Sequence, residues 1–556
     1  MKKIKSRILV LEWIEPTNIV RDRIKQRFPE EHIEIIEWEK IRGSIFRLAR
    51  QSRDSKIHAI YFLCEDLQNS GQLPYLLGLS LFFKAEIKRL IDIKGIEQNC
   101  SWNIFLFKAI PRIFWGILLL FLIPFFNWII LKLLNCQWII KRLKVDINNI
   151  CDLEKKVAPI CIGFFWAYTP NCIMNLKVGG EITHVTGFLS ALKKIGYGIF
   201  LISTREILQG PLSKYNVTVD EKDLPAWPGE VREMTYNWKV LWKTRKLIRQ
   251  RRFSLIYHRS SQWNFTGVLI SIIYRIPLVV EFNSSDVWEA ENVGAEKFIN
   301  LLRLTERVSL TYATKVAVVS DEVRDYFVDR GVPSQKIIVN PNGVEPELFF
   351  PNEKGKKVIR KYNLSNKILV GFMGVFAQYH GILTLAEAIR FVVEEVNTIH
   401  FLIIGDGILR LDFENILKAH NVTSYVTITG KIPHKIVPEY LDACDILVSP
   451  HQNMKDGSTF LGSPTKIFEY MAMGKGIVAS KIGQLEQILL HEENALLVKP
   501  ADPKNLALGI IKLAHDSNLR KTLGQKAREH VLAYYTWEKN AERITMPLFG
   551  TGSRRK

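Results

Sequence analysis

Residues 463–480 read SPTKIFEYMAMGKGIVAS. A turn at Ser463-Pro464 precedes a helix-forming run with Lys466 and Glu469, Gly474 and Gly476 stop it, and residues 477–479 form a short apolar strand. Proline favours the start of a helix and glycine its end, so the stretch is a loop, helix and strand unit of an open α/β sheet. Lys466 and Glu469, three apart, share one helix face. A helix N-terminus presents unpaired N–H groups and the positive end of the helix dipole, which suit an anionic ligand. A lysine adds charge there, and a glutamate one turn on can accept two ribose hydroxyls. An exposed i,i+3 ion pair on an ordinary helix is the alternative that these residues alone leave open.

Working outward, the same alternation recurs on both sides. Downstream of the polar linker 352–366, the apolar runs ILVGFMG from 368, HFLIIGDG from 400, VTITGKI from 426, DILVSP from 445, GIVAS from 476 and ALLVKP from 495 are separated by helix-length segments. Upstream, strands are expected over 157–166, 198–202, 255–258, 278–282 and 315–319. Gly179-Gly180 closes the loop after the first of these, before a helix from about 181 to 192. Short apolar strands alternating with helices predict two doubly wound parallel sheets in succession, spanning 157–350 and 367–530, with a cleft between them and a helical tail over 531–556. Ligands of such sheets bind at the C-terminal edge of the strands, where YHRSS and EFNSSD place His258, Glu281, Asn283 and Asp286. Two glycines between a strand and a helix let backbone N–H groups approach an anion. Residues 212–238, with Pro225, Pro228 and Gly229 among many charges, read as a surface loop or lid.

The first 150 residues differ. Residues 1–100 read as a small α/β unit, with strands over 7–13, 33–38 and 58–64, helices over 19–28 and 73–83, and a further element over 85–93; no phosphate-binding glycine motif assigns it a chemistry. Residues 113–130, IFWGILLLFLIPFFNWII, carry no charge, and eighteen such residues are about the minimum for a membrane span. Pro124 lies near the middle and basic residues flank both sides. The expectation over 101–145 is therefore a re-entrant or interfacial hairpin broken at Pro124, with a single span or a buried core helix as alternatives. At 556 residues, 47% hydrophobic and 24% charged, the chain is a folded, multidomain protein. The net charge of +20 points to an anionic partner; no recognition motif accompanies it, so nucleic acid is not expected. Seven scattered cysteines without C-x-x-C spacing argue against a disulfide framework or zinc site.

The segments VVSDEVRDYF, NPNGVEPELFFP, GVFAQYHG, LIIGDGILR, GKIPHKIVPEYLDACDILVSP, SPTKIFEYMAMGKGIVAS and ENALLVKPADPKNLA resemble, in order and spacing, family 4 of the glycosyltransferases over about residues 157–546. The resemblance implies a GT-B fold, two Rossmann-like domains facing a cleft, with the nucleotide-sugar donor on the C-terminal domain and the acceptor on the N-terminal one. It also implies transfer with retention of configuration, usually without a bound metal or other cofactor, and a C-terminal helix that crosses back to the first domain. Glu469 matches the glutamate that binds the donor ribose, and the Gly179-Gly180 loop the one that approaches the donor phosphates. The family's other motif glutamate falls on Leu461, so the backbone N–H groups of Gly462 and Ser463 are expected to serve the donor sugar instead, with Asp456 nearby. The arginine and lysine that clamp the diphosphate in many relatives fall on Val375, after Gly374, and His380, before Gly381; Lys431 or Lys466 is expected to supply the missing charge. A histidine of the first domain corresponds to Asn283, which cannot titrate, leaving His184 and His258 as titratable candidates beside it.

The expectation is a retaining glycosyltransferase on the cytoplasmic face of the membrane. Its donor is a UDP- or GDP-sugar, its acceptor a polysaccharide or lipid-linked glycan, and its further partner an anionic membrane surface. A nucleotide-sugar epimerase of the same fold is one alternative, separated by product analysis with and without acceptor; a catalytically inactive sugar-binding homologue is another.

Overall fold

The computed structural model describes residues 7–12, 32–37, 57–64, 87–92, 97–99, 110–144, 160–166, 180–208, 210–220, 224, 229–293, 298–453, 457 and 462–550. Gly179, Asp456, Leu461 and the helices expected over 19–28 and 73–83 lie outside them.

Three sheets follow one another along the chain. The first joins β1 (Arg7–Glu12), β2 (His32–Glu37), β3 (Ile57–Cys64), β4 (Ile87–Asp92) and β5 (Glu97–Asn99) in the order β2-β1-β3-β4-β5; β1 to β4 are parallel and β5 runs antiparallel to β4.

Helix α1 (Ile110–Leu134) and α2 (Gln137–Leu143) come next. Here the sequence expectation needs correction, because α1 runs straight through Pro124 and the chain breaks at Asn135–Cys136. A proline inside a helix removes one hydrogen bond and costs ~3 kcal/mol, which packing of the following turns offsets. Asn127, Leu131 and Leu134 are buried, Asn127 Oδ1 accepts from Trp238 Nε1 at 3.0 Å, and the Leu134 carbonyl accepts from the Tyr312 hydroxyl at 3.0 Å. Among the described residues no single helix is long and apolar enough to cross a membrane; the pair Leu122–Leu134 and Gln137–Leu143, bent by 76°, meets the length and composition together.

The second sheet contains β6 (Cys161–Trp166), β7 (Gly198–Ser203), β8 (Asn216–Thr218), β9 (Leu255–Arg259), β10 (Leu278–Phe282), β11 (Lys315–Val318) and β12 (Ile337–Val339), ordered β12-β11-β10-β9-β6-β7-β8 and parallel throughout. The third contains β13 (Ile368–Met373), β14 (Ile399–Ile404), β15 (Val426–Gly430), β16 (Ile446–Ser449), β17 (Gly476–Ser480) and β18 (Leu496–Val498), ordered β15-β14-β13-β16-β17-β18, also parallel. Every residue of β9, β10, β14 and β17 is buried, as continuous apolar runs require when helices cover both faces. Each sheet reverses its strand order beside its first strand, at β6/β9 and at β13/β16. That reversal opens a crevice at the strands' C-terminal ends.

The helices used below are α3 (Gly180–Lys194), α4 (Gly229–Arg251), α5 (Thr266–Tyr274), α6 (Ile299–Tyr312), α7 (Ile382–Glu395), α8 (Thr465–Ala472) and α9 (Trp537–Phe549). The region read as a lid over 212–238 instead supplies β8 and the first turns of α4, which Val231, Met234 and Tyr236 bury against the core. The last helix, α9, leaves the C-terminal domain and seats on α3. Trp537, Ala541, Ile544, Leu548 and Phe549 share one apolar cluster with Phe188, Leu192, Tyr197 and Tyr257, and the Trp537 ring fills the place where Gly187 would carry a Cβ. Lys194 Nζ, at the end of α3, bonds Glu347 at 3.1 Å and Glu538 at 2.9 Å. These partners are partly exposed, so Lys194→Ala should lower stability by no more than about 1 kcal/mol, read from the midpoint of urea unfolding.

Candidate active site

At the β13/β16 reversal, Gly374 follows β13 with φ +157°, and a Cβ placed on it would lie 2.7 Å from Lys466 Nζ and 3.2 Å from His380 Nδ1. Gly381, just before α7, has φ +67°, and the Pro450 carbonyl oxygen occupies the place where a Cβ would sit. These two glycines let the turn after β13 press against the end of β16, bringing Gly374, His380 and Lys466 to one point. His451, two residues past β16, closes the group with its ring 5.1 Å from that of His380.

Helix α8 presents Lys466 inward. Its residues 466–472 are all buried, and the Tyr470 hydroxyl accepts from the Met373 backbone N–H, at the end of β13, at 2.8 Å. Lys466 Nζ lies 4.8 Å from the Phe372 ring centroid and has no hydrogen-bond partner among the described residues. Burial pushes its pKa down to about 7, with Glu469 pulling the other way. Burial, and then the charge of Lys466, lower His380 to about 3, so that imidazole is neutral. One turn along α8, Glu469 is buried and its Oε1 accepts from His434 Nε2 at 2.9 Å. Burial alone would lower His434, but the hydrogen bond and charge of Glu469 raise it. A carboxylate has about four acceptor positions, so this bond leaves room for sugar hydroxyls.

Across the cleft, the β6/β9 reversal holds a cavity of about 270 Å³ lined by Trp166, Arg259, Ser260, Asn283, Asp286 and Glu289, with other residues. Asp286 accepts from Ser260 Oγ at 2.6 Å; burial, opposed by that bond and assisted by Glu289 and Glu306, raises it to about 8. At neutral pH it is a protonated acid that can donate. Beneath the cavity, Glu281 accepts from His184 Nε2 at 3.1 Å, from the Tyr257 hydroxyl at 2.5 Å and from Arg259. Burial would raise Glu281, but His184 and Arg259 outweigh it and hold the carboxyl at about 2. The second nitrogen of His184 meets Asn342 Oδ1 at 2.5 Å, and Asn342 in turn donates its backbone N–H to Ser463 Oγ at 3.1 Å and its Nδ2 to the Ser463 carbonyl at 2.6 Å. A continuous polar chain thus runs from the first sheet of the cleft, through the domain connection, to the loop that begins α8.

The pattern described as Glycosyltransferase Family 4 matches residues 178–348, and that described as Glycosyl transferases group 1 matches residues 367–516. The chain is a family 4 glycosyltransferase. This glycosyltransferase is 24% identical over 364 residues to an uncharacterized glycosyltransferase of Methanocaldococcus jannaschii, covering 65% of this chain and 92% of that one. It is 23% identical over 241 residues to the GDP-mannose-dependent α-(1-6)-phosphatidylinositol monomannoside mannosyltransferase of Mycobacterium tuberculosis, covering 43% and 63%. The Anabaena protein HepE, solved in complex with UDP and glucose, superposes with a TM-score of 0.55 at 18% identity, covering 70% of this chain and 99% of HepE. These likenesses confirm the GT-B arrangement of two Rossmann-like domains.

Within the glycosyltransferase, the residues singled out from sequence divide. Gly374, His380, Gly381, Lys466 and Glu469 converge, whereas Ser463, in the loop before α8, is tied through Asn342 to His184; Gly462 stands one residue before it. Gly180 begins α3 directly opposite α8, the place of its Cβ lying 3.1 Å from Thr465 Oγ1. Lys431 is exposed after β15, the outermost strand, two strand spacings or roughly 10 Å from β13. Asn283 lines the N-terminal cavity. His184 has both ring nitrogens engaged, and His258 is buried beneath α5 against Gly267, where burial lowers it to about 4; neither lines the cavity. Sequence reading missed His434, His451 and Asn342. The two histidines follow strand ends of the third sheet, the edge where ligands bind, and that position was the available signal.

Proposed function

We propose that this enzyme is a retaining hexosyltransferase that uses a UDP- or GDP-sugar and extends a polysaccharide or lipid-linked glycan at the cytoplasmic membrane face. The observation that carries the donor reading is the buried Lys466 ammonium, which has no hydrogen-bond partner among the described residues and lies beside Gly374 and His380 in the turn between β13 and α7. A diphosphate there would meet Lys466 and the His380 imidazole, with the ribose at Glu469 one turn along. The N-terminal cavity, facing the donor across the cleft, is the acceptor pocket: Asn283, Ser260 and protonated Asp286 offer hydrogen bonds to sugar hydroxyls. Among the described residues no side chain there is placed as a nucleophile with an adjacent base, so a leaving phosphate oxygen takes the acceptor's proton while the protein holds both partners in register and stabilises the diphosphate charge. The mannosyltransferase relative, named for a phosphatidylinositol-linked acceptor, supports a lipid-linked acceptor here.

Thermal-shift titration with UDP, GDP and ADP tests the donor reading. A shift with UDP or GDP that Lys466→Ala removes supports it, and no shift with any of the three sinks it. Glu469→Gln keeps the shape that receives His434 but loses the carboxylate charge. It should weaken nucleotide binding about tenfold, measured in the same titration, and an unchanged midpoint would place the ribose elsewhere.

A further inference from the structure

One face of the N-terminal domain is coated by α1, α2 and the adjoining part of α4. Phe125, Trp128 and Leu133 are roughly half exposed, Trp138 is 66% exposed and Trp242 is 64% exposed. Trp242 belongs to the same ridge: Trp238, one turn earlier on α4, packs on Phe126 at 5.3 Å and bonds Asn127. Each of the three exposed tryptophans carries a cation near its ring, Lys132 at 5.8 Å from Trp128, Arg142 at 5.5 Å from Trp138 and Arg245 at 3.4 Å from Trp242. Lys141 and Lys144 add to them, and no Asp or Glu occurs between residues 110 and 144. The opposite side of α1 is closed onto the protein through Asn127, Leu131 and Leu134. Between α1 and the start of α6 lies a cavity of about 330 Å³ lined by Pro124, Phe125, Trp128, Phe298, Ile299 and Leu301, a shape suited to part of an acyl chain.

We infer that this ridge docks on the headgroup region of an anionic bilayer, with residues 122–143 lying along the membrane and not through it. Tryptophans with basic neighbours are the side chains that partition to that depth, and an apolar helix face sinks about 5–10 Å there while its cations meet lipid phosphates. A helix whose other side is sealed to a folded domain cannot enter the hydrocarbon on all faces. Self-association is disfavoured by charge, because a second copy would set the same row of cations against itself. The inference rests on the proposed membrane-linked acceptor only for its purpose; the docking itself is independent of the donor reading.

The test is flotation of the full chain with vesicles of phosphatidylcholine alone and of phosphatidylcholine mixed with phosphatidylglycerol. Wild type should float with the mixed vesicles and be released by alkaline carbonate. The triple variant Phe125→Ser, Trp128→Ser, Trp242→Ser should float at least tenfold less, and Lys132→Glu, Arg142→Glu, Arg245→Glu should lose the preference for the anionic vesicles. The UDP or GDP thermal shift of each variant should match wild type, which shows that the fold persists. Equal flotation of the triple variant overturns the inference, as does resistance to carbonate, which indicates a span. A wild-type dimer that the triple variant dissociates, without vesicle binding, overturns it in favour of a second copy. Absence of any nucleotide shift in wild type would instead fail the donor reading and leave the flotation result standing.

Discussion

Lys466→Met is expected to raise the melting temperature of the ligand-free enzyme while weakening UDP or GDP binding about 100-fold. Both effects come from one group. The ammonium is buried without a hydrogen-bond partner among the described residues, so the folded chain holds its pKa near 7 while the unfolded chain holds it near 10.5. Between those values the unfolded state binds the proton and the folded state does not. Stability therefore rises with pH across the window from about 7 to 10.5, and below pH 7 the penalty is fully present. A shift of this size corresponds to a penalty on the order of a few kcal/mol, which methionine, of similar length and without charge, removes. The lost hydrogen bonds to a phosphate cost about 1.5–3 kcal/mol, hence the fall in affinity. Bound diphosphate restores the lysine's charge, so binding near pH 8 should take up close to one proton. Calorimetry in buffers of different ionisation enthalpy reads that uptake directly. If the variant has an unchanged affinity, or the wild type takes up no proton, the diphosphate is held elsewhere.

Glu281→Ala is expected to lower the unfolding free energy by about 3–5 kcal/mol, the cost of leaving buried charges uncompensated. The carboxylate receives His184, Tyr257 and Arg259 together, and all four residues are buried. Its folded pKa of about 2 lies below the ordinary 4.5, so its contribution of about 3 kcal/mol is present above pH 4.5 and lost as the pH falls towards 2. Urea unfolding at pH 7 and pH 3 separates the terms: the difference between wild type and variant should shrink at the lower pH. A variant as stable as wild type at pH 7 would mean that the network is not maintained in solution. Because His184 continues through Asn342 to Ser463, the same substitution should also weaken nucleotide binding, although Glu281 belongs to the other domain.

The alternation of strands and helices was legible because it is local: apolar runs of four to six residues leave few alternatives once glycines and prolines bound them. The proposed donor side was legible for the same reason. Gly374 and Gly381 flank one turn, and Lys466 and Glu469 share one helix face, so each pair is fixed within a few residues. His434 reaches Glu469 from another strand end, and Asn342 reaches both His184 and Ser463 from the connection between domains; no pattern in the chain announces such long-range meetings. His184 looked available as a titratable residue at the expected cleft edge, yet Trp537, from the far end of the chain, packs on it with ring centres 5.4 Å apart and Glu281 and Asn342 occupy its nitrogens. Pro124 was read as a break on local grounds, and the packing of Asn127, Leu131 and Leu134 overrode it.

The seating of α9 on α3 has a consequence for how the protein is made. The apolar surface formed by Phe188, Leu192, Tyr197 and Tyr257 is completed only by residues 537–549, which are translated about 200 residues after the N-terminal domain's last strand. At the usual rate of about 5–20 residues per second, that surface stays uncovered for roughly 10–40 s on the ribosome. A ribosome that stalls within the C-terminal domain releases an N-terminal domain with an open apolar groove, a natural substrate for chaperones. Supplying residues 537–549 as a separate peptide should rescue the solubility of such a fragment.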